Sequence, residues 1–167
     1  QLTTKEQMLD EMCATLGGRA AEELFFGKIS TGALNDLEKV TKQAYAMVSY
    51  FGMSDKIGNR SYYDSTGQNE YAFSKPYSDE TAKEIDEEVK RIIDESYIKA
   101  KELLEKYKDQ HNQIGNILLE KEVIFAEDLE RVLGPRPNGK TPYSDDENSK
   151  NEKKSEDIDI QPESTIE

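Results

Sequence analysis

The chain has 167 residues, 35 acidic against 22 basic, a net charge of −13, and hydrophobic and charged fractions of 35% and 34%. That length suits one domain, or one domain with a tail, and that acidity argues against nucleic acid as a partner, because phosphate binding is driven by cationic contacts that release counterions. One cysteine, Cys13, excludes an internal disulfide; one histidine, His111, excludes a site that needs two His from this chain; and no apolar run approaches the roughly 18 residues of a membrane span.

The chain opens at Gln1 rather than Met, which reads as a piece of something longer. A first helix is predicted from apolar residues at Met8, Leu9, Met12, Leu16, Ala20 and Leu24. Thr4 caps it, with Gln7 completing a capping box, and it ends near Gly27. Gly17 and Gly18 inside it cost a free helix about 1 kcal/mol each and are tolerable if another backbone packs closely there. A second helix follows the loop Lys28 to Leu34, capped by Asn35 or Thr31. Its inward face is Leu37, Val40, Ala44, Met47, Val48 and Phe51, and Gly52 stops it. Residues 53–77, with glycines, Pro76 and several tyrosines, read as a loop excursion with short strands around 60–63 and 71–74.

A long third helix starts after Pro76 with Ser78 as its cap and runs to Tyr107, its stripe passing through Ile85, Val89, Ile92, Ser96, Ala100 and Leu104. A fourth spans about Asp109 to Lys121, with Ile114, Ile117, Leu118 and Leu119 inward; a fifth, Ala126 to Leu133, ends at Gly134-Pro135. The fold class is therefore all-α, a bundle of about five helices. Residues 138–167 contain no Leu, Val, Phe or Met and carry nine acids against four lysines, so they cannot bury enough apolar surface to offset chain entropy. They read as a disordered acidic tail on a folded part, residues 1–137.

Three places invite chemistry. Glu22 and Glu23 can act as acid and base or bind a metal, or can be a solvated face paired with Arg19. Asp36, after the small-residue run Ser30-Thr31-Gly32-Ala33, can favour the helix start through the dipole or present an oxygen to a metal. Amides of the same loop can hold an anion. His111 reads as a surface residue and Cys13 as a small buried hydrophobe. No catalytic residue is assigned, because no nucleophile has a base beside it and the chain has no phosphate loop and no His-Glu-x-x-His segment. By residue types alone, a non-enzymatic helical module that binds a partner through a groove fits equally well.

The ordered set Thr15-Leu16-Gly17-Gly18-Arg19-Ala20-Ala21-Glu22-Glu23-Leu24, Phe26-Gly27, Ser30-Thr31-Gly32-Ala33-Leu34-Asn35-Asp36-Leu37 and Phe51-Gly52-Met53-Ser54 resembles the FtsH family, bacterial members most closely. Lys75-Pro76-Tyr77-Ser78 and Leu118-Leu119-Glu120-Lys121-Glu122 agree, and the resemblance covers about residues 3–137. It implies an ATP-dependent zinc metalloprotease with an N-terminal membrane anchor, an AAA ATPase domain and a helical peptidase domain, assembled as a homo-hexamer that threads protein substrates into its chamber. It implies a place at the cytoplasmic face of an inner membrane. It implies zinc held by two His of a His-Glu-x-x-His helix and by the Asp of the Ser-Thr-Gly-Ala motif, which is Asp36 here, while Glu22 and Glu23 are structural. The anchor, the ATPase domain and the His-bearing helix are not in this chain. It is accordingly expected to be inactive alone, and to associate through Met12, Leu16 and Leu24 left partly uncovered.

Overall fold

The computed structural model describes residues 2–63 and 76–135. Five α-helices follow in order: α1 (Lys5–Phe26), α2 (Leu34–Ser49), α3 (Asp79–Lys106), α4 (Lys108–Lys121) and α5 (Ala126–Leu133), with a 3-10 turn at Thr31–Ala33 before α2. No strand occurs among the described residues. Residues 60–63 are irregular rather than a strand: the Tyr62 amide donates to the Ser49 carbonyl at 2.7 Å, tying the segment to the end of α2. The expected strand at 71–74 and the tail at 138–167 lie outside the described residues. Among the described residues no helix is long and apolar enough to cross a membrane.

The chain divides into two compact units, residues 1–111 and 112–167. In the first, α1, α2 and α3 pack on one another. Their core is Met8, Met12 and Leu16 of α1, Val40, Ala44, Met47 and Val48 of α2, and Ile85 and Ile92 of α3, closed from the loop side by Ile57. Each Met, Leu, Val or Ile side chain among them taken fully from water stabilises by about 1.5–3 kcal/mol. Met12 and Leu16 are thus covered by α2 and α3, contrary to the expectation that they stand partly open. A smaller cluster of Cys13, Ala20 and Ala100, flanked by Tyr97 and Leu104, joins α1 to α3 further along. Its small residues let the two backbones approach.

Local chemistry accounts for most helix ends. Thr4 and Gln7 exchange hydrogen bonds of 3.3 Å and 2.9 Å with each other's backbone amides, a complete capping box. Gly27, in the left-handed region at φ 63°, closes α1 through its amide to Glu23 O. Ser78 caps α3 by accepting from the Thr81 amide. The start of α2 differs from expectation. The preceding 3-10 turn feeds straight into the helix, Ser30 caps that turn, and neither Asn35 nor Thr31 acts as a cap. Leu34 N–H already donates to Thr31 O, so a first-turn donor is satisfied without a side-chain cap. Phe51 is exposed rather than inward, because α2 ends at Ser49 and the chain turns at Gly52 with φ 62°.

In the second unit no residue of α4 is buried, and Leu118 and Leu119, expected inward, are exposed. Asp128 organises this unit. Its carboxylate accepts from Lys121 Nζ at 3.0 Å, Arg131 at 2.7 Å and the Phe125 amide at 3.3 Å, capping α5.

Candidate metal centre

Asp36 stands in the first turn of α2, where a negative charge is favoured by the helix dipole, and its side chain is exposed. Among the described residues it takes part in no hydrogen bond or ion pair. An exposed carboxylate of this kind is free to offer an oxygen to a metal. The segment that carries it is ordered from behind. Ser30 donates its amide (2.9 Å) and its hydroxyl (2.9 and 3.0 Å) to the Glu22 carboxylate, and the same hydroxyl accepts from the Gly32 amide at 3.2 Å.

The two glutamates face different partners. Glu22 is held by Ser30, whose amide first and hydroxyl second keep its carboxyl below the usual range. Glu23 accepts a hydrogen bond from the Tyr97 hydroxyl of α3 and lies 3.5 Å from Lys101 Nζ. The Tyr97 bond is the main cause of the lowered Glu23 carboxyl. Tyr97 itself is pushed up to about 12, by burial first and by Glu23 second. The expected partner Arg19 makes an ion pair with neither among the described residues. Helical spacing alone suggested it, while the actual partners come from 8 and 74 residues away. Periodicity carries no signal for such contacts.

The other candidates have neighbours of their own. His111 stacks on Phe25 with ring centroids 4.4 Å apart, and Lys108 approaches the same ring at 5.9 Å. Cys13 is buried in the small α1–α3 cluster, and burial pushes its thiol up, away from the reactive thiolate. No group of three or more His, Cys, Asp or Glu side chains able to hold a metal ion exists among the described residues. Asp36 therefore fits zinc chemically as one oxygen donor, while a lone carboxylate does not hold the ion.

The sequence model of peptidase family M41 matches residues 1–132. The chain is 64% identical over 136 residues to the ATP-dependent zinc metalloprotease FtsH of Parabacteroides distasonis, covering 81% of this chain and 20% of that protein. It is 49% identical over 168 residues to the ATP-dependent zinc metalloprotease FTSH 10, mitochondrial, of Arabidopsis thaliana, covering 96% and 20%. It is 53% identical over 142 residues to the FtsH of Rhodothermus marinus, covering 84% and 20%. The chain spans about a fifth of the length of these relatives. With the ordered motifs lying on α1, on the turn into α2 and at its end, the chain belongs to peptidase family M41.

Proposed function

We propose that residues 1–137 are the C-terminal portion of the peptidase domain of an ATP-dependent, membrane-anchored zinc metalloprotease that unfolds and degrades membrane and cytosolic proteins. Asp36 is one zinc ligand in this reading. The remaining ligands, the general base, the ATPase domain that binds ATP and the membrane anchor come from outside these residues. The assembly is a homo-hexamer, with α3 and its successors contributing to packing in the ring and the peptidase domain on the cytoplasmic side of an inner membrane. The relatives' names support the class of activity.

The observation that carries the zinc assignment is the contrast among three neighbouring acids. Glu22 and Glu23 are already engaged by Ser30 and by Tyr97 and Lys101, whereas Asp36 presents an exposed carboxylate at the mouth of α2. Zinc held there supplies Lewis-acid polarisation of a scissile carbonyl and of a water. What this chain contributes is one anionic oxygen and the ordered turn that presents it.

Two measurements test the reading. In the full-length protein, Asp36→Ala abolishes zinc binding and proteolysis, whereas Glu23→Gln keeps the metal and lowers stability; the reverse pattern overturns the assignment. The purified 167-residue chain, with one ligand and no base, shows no zinc-dependent cleavage of casein. Cleavage by it that disappears in Asp36→Ala sinks the proposal that it is inactive alone.

A further inference from the structure

The Glu22–Ser30 contact joins the end of α1 to the loop before α2. One carboxylate receives both polar hydrogens of one residue, the Ser30 amide at 2.9 Å and its hydroxyl at 2.9 and 3.0 Å. The Ser30 oxygen then accepts the Gly32 amide at 3.2 Å and so caps the 3-10 turn Thr31–Ala33. That turn runs without a break into α2, whose first turn holds Asp36. A continuous chain of hydrogen bonds therefore links α1 to the backbone that aims Asp36. Among the described residues no other side chain caps this junction: Ala33, which precedes α2, has none to offer. The loop before it is otherwise exposed from Gly27 to Gly32, so little apolar packing holds it.

We infer that Glu22 and Ser30 are positioning residues for the Asp36 metal ligand: Glu22 anchors, Ser30 relays, and together they hold the backbone turn from which α2 presents Asp36 before any metal arrives. The inference rests on the reading of Asp36 as a zinc ligand. It assigns Glu22 a specific task in place of a general structural one, and it separates Glu22 from its neighbour Glu23, which serves the α1–α3 contact. Groups that orient metal ligands through hydrogen bonds are worth about 10- to 100-fold in metal affinity when removed.

The test uses two preparations. In the 167-residue chain, which needs no metal for the measurement, amide hydrogen exchange is followed in Glu22→Ala, Ser30→Ala and Ser30→Thr. Glu22→Ala speeds exchange at Ser30 and Gly32, Ser30→Ala speeds it at Gly32 alone because the residue-30 amide still reaches Glu22, both leave the α3 amides of Ile92 and Ala100 unchanged, and Ser30→Thr retains the slow rate at Gly32 because it keeps the hydroxyl. In the full-length protein, competition with a zinc chelator reads affinity. Glu22→Ala loses at least about tenfold, Ser30→Thr retains wild-type affinity, and Glu23→Gln is unaffected. Ser30→Ala removes a single oxygen at an exposed site, so it keeps the test open where Glu22→Ala fails to fold. Asp36→Ala separates the two failures. If it loses zinc while Glu22→Ala and Ser30→Ala keep wild-type affinity, the positioning role is overturned and the ligand assignment stands. If Asp36→Ala keeps its zinc, the assignment falls and the inference with it.

Discussion

Glu88 of α3 is only 6% exposed, and a carboxylate taken from water at that depth is costly unless its lone pairs are filled. Here Ser54 donates its hydroxyl at 2.8 Å, and Arg91 donates from Nε at 3.1 Å and from its terminal nitrogen at 3.0 Å. Ser54 in turn accepts from the Lys56 and Ile57 amides, so the turn after α2 is fastened to α3 through one buried oxygen. Ser54, met in the sequence only as part of the family signature Phe51-Gly52-Met53-Ser54, thus has a structural explanation. Gly52 makes the turn at φ 62° and Ser54 locks it. The Arg91 hydrogen bonds, ahead of that from Ser54, hold the Glu88 carboxyl below its ordinary value of 4.5. A carboxyl depressed in the folded state stabilises above its unfolded value and loses that contribution as pH falls through its folded value. Glu88→Gln is therefore expected to cost about 1–3 kcal/mol in urea unfolding at neutral pH. The gap to wild type narrows as pH drops below 4.5; an equal gap at both pH values refutes the charge-based account.

At the scale of elements, what could be read from residues follows from the range of the forces. Caps and glycine stops are local, so Thr4 with Gln7, Gly27 and Ser78 mark the helix ends they were expected to mark. Periodicity identifies Met8, Met12, Leu16, Val40, Ala44 and Ile92 as core. Long-range choices are not legible that way. The partners of Glu22 and Glu23, and the pairing of Ser54 with Glu88, depend on which helices meet. In α4 the run Ile117-Leu118-Leu119 wraps around the helix, and one face cannot take all three; Leu119 is 83% exposed. Residue type and position left Asp36 open as a helix-start acid or a metal donor, and only the family resemblance favoured the ligand. Gly17 and Gly18 are a further departure. A Cβ at either would meet nothing within 4 Å, so no close backbone among the described residues accounts for them. Gly18→Ala is accordingly expected to stabilise this chain by about 0.5–1 kcal/mol, through helix propensity alone. A loss of stability in a thermal melt would show that the open space is needed.

For the whole molecule, two opposing terms govern self-association. Apolar side chains stand exposed in the first unit, Phe26 at 77% and Leu34 at 70%, and in the second unit Leu119 and Phe125 are exposed as well. Burying such surface between copies is favourable. A net charge of −13 opposes it, because each copy repels the next. The repulsion is long-ranged and screened by salt, with a Debye length of about 10 Å at 0.1 M falling to about 3 Å at 1 M, whereas the apolar term is not weakened. The core residues Met12 and Leu16 take no part, being covered within the chain. Association of the purified chain should therefore increase with salt as well as with concentration in sedimentation velocity. Replacing the exposed pair, Phe26→Glu with Leu34→Glu, should shift it back toward monomer at high salt while leaving the melting transition in place, since neither side chain belongs to the core. A chain that sediments as a monomer at every salt concentration, or a double variant that associates as strongly as wild type, would show that these side chains do not drive contact between copies.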